Sequence, residues 1–278
     1  MPAAPRYGVR SLPDVLPSLL AALGVPGVGG PLPVPPARSA CVLLLDGLGW
    51  ELLREHHAEA PFLAGMAQGT EPLDAGFPAT TATSIASLGT GRPSGEHGIV
   101  GYLCRAHRRR AHRRRAQRAE LALARRSGPD RAGVTRGAAA EPHDAAASGG
   151  AGLAVRVVAP AAHRRSGLTR AALRGGEYRG VYALGDLAAE VLVALQGRAL
   201  CYAYFADLDT VGHRYGPGSV AWRLQLAHLD RLVAAIVPRL PPDALLCVVA
   251  DHGMVPVRSP VDADADPRLR EGVTEIAG

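Results

Sequence analysis

The chain has no lysine. All 31 of its lysine-or-arginine positions are arginine, a bias that points to GC-rich coding DNA. It also lacks a cationic head followed by an uninterrupted apolar stretch, since its first residues read MPAAPRYGVRSLPDVLPSLL. A secretory leader is therefore not expected. Nowhere do about eighteen apolar residues run together without charge or proline, so no segment has the make-up of a transmembrane helix. A soluble, cytoplasmic protein is expected. The four cysteines, Cys41, Cys104, Cys201 and Cys247, include no close-spaced pair, and three lie in apolar, strand-like runs. Cysteine packs as a small hydrophobe, so buried free thiols are expected rather than disulfides or metal ligands.

What is present is 278 residues, nearly half of them apolar, enough to bury a sizeable core. The net charge of +6 is unevenly spread. Between Arg105 and Arg136 twelve arginines stand against two acids, Glu120 and Asp130. The excess there is larger than that of the whole chain, so the remainder is net negative and the basic character belongs to one segment. No aromatics interleave with those arginines to stack on bases. Nucleic acid is therefore not an expected partner, and neither is a membrane.

Three apolar runs of strand length each end in aspartate: Ala40 to Asp46, Leu200 to Asp207 and Ala244 to Asp251. A fourth, Ala154 to Pro160, ends in proline. Continuous apolar strands separated by helix-length segments predict an α/β fold with a central, mostly parallel sheet and helices on both faces. Ligands bind at the carboxyl ends of such strands, so the repeated terminal Asp marks an active edge. Helical spacing predicts helices over Trp50–Gly65, Thr81–Leu88, Leu184–Leu195 and Val220–Val237, with loops at Val25–Pro36 and Gly212–Ser219.

The sequence divides into three parts. Residues 1–103 and 151–278 carry these elements, while 104–150, with its AHRRRAHRRRAQRAELALARR stretch, has no sustained apolar face and is expected to be disordered. It reads either as a solvated insertion or as out-of-frame translation of GC-rich DNA.

The chemistry sits on four motifs. Asp209-Thr-Val-Gly-His213 places a carboxylate and an imidazole four residues apart after a strand, read as a tight loop that aims both at one cation. Asp251-His252-Gly253 sets a second such pair at another strand end, and Asp46-Gly47 adds a third carboxylate. Mixed oxygen and imidazole ligands suit zinc, with manganese or iron as weaker options. Near these, Thr80 and Thr81 precede an apolar-periodic stretch, a helix-start signature in which a hydroxyl meets unpaired backbone N–H groups and the positive end of the helix dipole. A phosphate is readily held there, and either threonine could be the nucleophile.

The stretch Phe77-Pro-Ala-Thr-Thr81-Ala-Thr-Ser-Ile-Ala-Ser-Leu-Gly-Thr90-Gly91, followed by His97-Gly98-Ile99, resembles the signature of the nucleotide pyrophosphatase/phosphodiesterase family of the alkaline phosphatase superfamily. Leu44-Leu-Asp46-Gly47, Asp209 to Pro217 and Ala250 to Met254 resemble its other motifs in the same order. The resemblance covers about two-thirds of the chain and omits the arginine-rich middle. It implies an alkaline-phosphatase-like core and selects Thr81 as nucleophile. By the same likeness Asp46, Asp251 and His252, with Thr81, hold one zinc, and Asp209 and His213 hold a second with a histidine from further downstream. His97 is similar to a structural histidine of the family, and Asp207 is a neighbour of the metal motif outside the ligand set.

Two departures from the family pattern stand out. The middle is replaced by arginine-rich sequence, and no histidine lies between Met254 and Gly278, so the second zinc site is expected to be incomplete and the chain to be truncated at its C-terminus. The implied activity is metal-dependent hydrolysis of a phosphodiester or pyrophosphate bond in a small phosphate ester or nucleotide. The alternatives are a phosphomonoesterase or phosphomutase on the same scaffold, or an inactive truncated product.

Overall fold

The computed structural model of the chain describes residues 4–101, 152–257, 259, 261, 262 and 265–271. The expectations for 104–150, and for Cys104, fall outside the described residues.

Five strands form one sheet: β1 (Ser39–Leu45), β2 (Ala154–Pro160), β3 (Glu177–Val181), β4 (Ala199–Phe205) and β5 (Ala244–Val249). Their order is β3-β2-β4-β1-β5 and every pairing is parallel. Parts of the chain on either side of the arginine-rich segment thus share one sheet. The apolar runs predicted all four of the longer strands. The sequence reading missed β3, whose EYRGV is too short and too polar to register as a buried strand.

Between them run the helices α1 (Val15–Ala22), α2 (Trp50–Glu55), α3 (Pro61–Ala67), α4 (Thr81–Thr90), α5 (Ser94–His97), α6 (Gly167–Ala172), α7 (Leu184–Ala194), α8 (Asp207–Tyr215) and α9 (Val220–Ile236). Side chains alternate across a strand, so β1 feeds two cores. Cys41, Leu43 and Leu45 pack with Cys201, Ala203 and Phe205 under α7 and α9, around Leu187, Val191, Trp222, Leu226 and Leu229. Ala40, Val42 and Leu44 pack with Leu200, Tyr202 and Tyr204 under α1, α4 and α6. Helices therefore cover both faces, and every residue of the central β1 is buried. Cys41, Cys201 and Cys247 are free thiols in these strands.

Three expectations need correction. The helix predicted over Trp50–Gly65 is two, because Pro61 disfavours helical backbone at Ala60 (φ −131°, ψ 58°) and then occupies the first turn of α3. Asp230 of α9 accepts the Leu63 N–H at 2.8 Å and satisfies one unpaired amide of that new start. The segment from Asp209 to His213 is not a tight loop but lies within α8, so the loop predicted from Gly212 begins only after Tyr215. Asp207 is not on the β4 strand: it opens α8 and is exposed. Two aspartates in the first turn of α8 complement the helix dipole, which the strand reading overlooked.

Candidate active site

All the chemical motifs gather at the carboxyl edge of β4, β1 and β5. Asp46 directly follows β1 and is 2% exposed, its N–H extending the ladder to the Phe205 carbonyl at 3.0 Å. Asp251, fully buried, follows β5. Asp209 stands in the first turn of α8, next to β4. Gly47 fits between them with φ 76°, and a Cβ there would lie 3.1 Å from Asp209 Oδ1 and 3.2 Å from its Cα. Its N–H donates to Asp251 Oδ1 at 3.1 Å. Only glycine meets both the left-handed backbone and the close approach.

The structure brings one oxygen each of Asp46 and Asp209 and a ring nitrogen of His252 within 4.8 Å of one another. His252 Nε2 lies 3.5 Å from Asp46 Oδ1, 3.4 Å from Asp251 Oδ2 and 3.0 Å from Thr81 Oγ1. Its Nδ1 is 3.1 Å from the Gly253 carbonyl. A carbonyl only accepts, so Nδ1 carries the proton and Nε2 presents its lone pair to the cluster. His213, on the same face of α8 as Asp209, reaches Asp209 Oδ1 at 3.4 Å, but its side chain is 72% exposed.

Thr80 and Thr81 separate cleanly. Thr80 is the N-cap of α4: its Oγ1 accepts from the Thr83 N–H at 3.4 Å and donates to Thr83 Oγ1 at 3.0 Å. Thr81 is the first helical residue and faces His252. The helix is anchored to the cluster because Ser84 Oγ donates to the Asp251 carbonyl at 2.8 Å. His97 stands elsewhere. It is buried, its Nδ1 accepts the Ile99 N–H at 3.1 Å, and its Nε2 therefore donates to Ser87 Oγ at 2.9 Å, tying α5 to α4. His228 is exposed on α9.

The carboxylates are crowded and half-satisfied. Burial first, then the charge of Asp251, pushes the Asp46 carboxyl up to about 9. Burial likewise raises Asp209 above the usual carboxylate range, offset in part by His213. Asp46 Oδ1, Asp209 Oδ1 and Asp251 Oδ2 are buried without a hydrogen-bond partner among the described residues. Three orphaned carboxyl oxygens converging with an imidazole lone pair fit a divalent cation, and zinc, manganese or iron all accept such a donor set.

Sequence reasoning missed Tyr204, whose hydroxyl donates a hydrogen bond to Asp46 Oδ2. Its only signal was an aromatic inside an apolar strand, which reads as core. Beside the cluster an apolar cleft lined by Leu48, Trp50, Leu53, Met66 and Val248 opens next to His252.

A helix-start hydroxyl facing imidazole and carboxylates at the ends of parallel strands is the equipment of an enzyme that opens phosphate esters. The sequence family described as type I phosphodiesterase / nucleotide pyrophosphatase matches residues 40–271, and the chain belongs to that family, within the alkaline phosphatase superfamily. Over 52 residues the chain is also 38% identical to the GPI ethanolamine phosphate transferase 3, catalytic subunit, of Homo sapiens and 36% identical to that of Mus musculus. Those matches take in 19% of this chain and 5% of each relative. Among the described residues no helix is long and apolar enough to cross a membrane.

Proposed function

We propose that this phosphoester hydrolase cleaves phosphodiester or pyrophosphate bonds with Thr81 as nucleophile, at a site for two zinc ions. Asp46, Asp251 and His252, with the Thr81 hydroxyl, would hold one; Asp209 and His213 would hold the other. The observation that carries the reading is the 3.0 Å approach of Thr81 Oγ1 to His252 Nε2, an atom that also lies within 3.5 Å of two carboxylates. Zinc there supplies Lewis acidity, lowering the pKa of the attacking oxygen and neutralising charge on the leaving one.

The rest falls to the chain's own groups. The phosphate approaches the start of α4, where unpaired backbone N–H groups and the helix dipole favour an anion. The Thr81 Oγ attacks phosphorus as its proton passes to solvent, the bond to the ester oxygen opposite breaks as the Oγ–P bond forms, and that oxygen takes a proton from water and leaves as the alcohol. Water then opens the Oγ–P bond, restoring the threonine hydroxyl and releasing the remaining phosphate monoester. Ser84 fixes the orientation of α4 against the Asp251 turn, and the apolar cleft beside His252 gives room for the organic part of the substrate. A threonine nucleophile favours diesters over monoesters.

The test is matched kinetics on bis-p-nitrophenyl phosphate and p-nitrophenyl phosphate with zinc present. The diester is expected to be the better substrate. Thr81→Ala should abolish its turnover with metal content little changed, and Thr80→Ala should be much milder. Greater damage from the Thr80 substitution would move the nucleophile by one residue. A preference for the monoester would favour the phosphomonoesterase reading.

A further inference from the structure

Resting on the metal-site reading above, we propose that Tyr204 is a positioning residue: its hydroxyl ties up Asp46 Oδ2, so that Asp46 binds its cation through Oδ1 alone, and the site favours a small, four-coordinate ion.

The two carboxylates nearest His252 Nε2 are each divided in the same way. Asp251 Oδ1 is occupied by two backbone donors, the N–H groups of Gly47 at 3.1 Å and of His252 at 3.0 Å, and its Oδ2 has no partner. Asp46 Oδ2 is occupied by the Tyr204 hydroxyl, and its Oδ1 has no partner. Both vacant oxygens point at the same imidazole nitrogen, at 3.4 and 3.5 Å. For Asp251 the restraint is backbone and cannot be removed by substitution. For Asp46 it is one phenol.

That phenol is held from two sides. Tyr204 pairs with Leu44 in the β1–β4 register, which sets its ring one step below Asp46 in the central sheet. His163, just beyond the neighbouring β2, lies with its ring centroid 5.9 Å from that of Tyr204 at an interplanar angle of 46°. A carboxylate with one oxygen engaged offers a cation a single donor, as four-coordinate zinc prefers; one with both oxygens free swings to two-oxygen ligation, as calcium and other larger, oxygen-seeking ions accept.

The experiment loads the full chain with cobalt(II), which substitutes for zinc and absorbs strongly in the visible when four-coordinate. Zinc and manganese affinities are measured alongside by chelator competition. Tyr204→Phe keeps the ring and loses the hydroxyl. It is expected to weaken the four-coordinate cobalt band and to lower zinc affinity about 10–100-fold, the usual cost of losing a partner behind a ligand, while manganese affinity holds or rises. Tyr202→Phe, on the same face of β4, removes a buried hydroxyl that has no partner among the described residues and should leave both readouts as in the wild type. Should Tyr204→Phe fail to fold, His163→Ala, which uncovers the phenol without removing its hydroxyl, is read the same way with a smaller loss expected. An unchanged cobalt spectrum and unchanged zinc affinity in the folded variant, or a change confined to thermal stability, would overturn the proposal. A wild type that takes up no cobalt would overturn the metal-site reading itself and this proposal with it.

Discussion

Removing the cation should make the protein's stability depend steeply on pH, and the crowding of carboxylates fixes both sign and size. Asp46, 2% exposed, is pushed from 3.8 up to about 9 by burial and by Asp251. The folded metal-free chain therefore keeps a proton that the unfolded chain has already released. Stability from such a group is fully present below the unfolded pKa and is lost as pH rises through the folded one, at up to about 1.4 kcal/mol per pH unit. Between pH 7 and pH 9 the loss is up to about 2.7 kcal/mol. For a chain of this size that corresponds to a Tm lower by roughly 5–10 °C. His97 and His163, whose pKa values burial holds below the usual histidine value, contribute only at more acid pH; the Cys41 and Cys247 thiols, held above their ordinary value, add a smaller loss of the same sign toward pH 9, so the comparison with Asp46→Asn isolates the carboxyl. Zinc in excess should abolish the slope and add about 2.7 kcal/mol at a hundredfold excess over Kd. The assay is thermal unfolding at pH 7, 8 and 9 in EDTA and in zinc, for wild type and Asp46→Asn. Equal Tm at pH 7 and pH 9 in EDTA, or a slope in Asp46→Asn as steep as in wild type, would refute the reasoning.

Gly47→Ala should cost about 1–3 kcal/mol, from positive φ and a Cβ at 3.1 Å from Asp209, and should lower zinc affinity as well; urea unfolding and chelator competition read the two effects. Asp230→Ala leaves the Leu63 N–H unpaired and should lose about 1–2 kcal/mol in urea unfolding with kcat per folded molecule unchanged. His213→Ala should leave Tm unaltered, since the side chain is 72% exposed, and should remove the weakly held second zinc seen by equilibrium dialysis at high free zinc, leaving the tightly bound one in place. Retention of that second zinc in the variant would remove His213 from the ligand set.

The strands were legible because a parallel sheet covered on both faces leaves an apolar signature that few other arrangements produce, and β1, β2, β4 and β5 all carry it. β3 escaped because an edge strand need not be apolar. The helix pattern over Trp50–Gly65 was right in period and wrong in continuity, since Pro61 acts on the residue before it. On α8, Asp209 and His213 were expected in a tight loop that aims both at one cation; four residues apart is instead a helical repeat, which sets both on one face of the helix. Tyr204 was out of reach for a different reason: on a strand buried on both faces, a tyrosine that packs and a tyrosine that donates to a carboxylate look the same in sequence.

The retention of Asp46, Asp209 and Asp251 is itself an energetic argument about what the fold is for. Packing alone would favour apolar side chains at two positions that are 2% and 0% exposed, because an uncompensated buried carboxylate costs several kcal/mol. The chain offsets part of that cost with its own donors, the Tyr204 hydroxyl to Asp46 and the amides of Gly47 and His252 to Asp251. It leaves three oxygens that accept from no donor among the described residues, beside an imidazole nitrogen fixed as a lone pair. A protein side chain added there, such as an arginine, would satisfy them and end the matter. Among the described residues no arginine reaches these oxygens, so a cation bound from solution is the charge that would satisfy them.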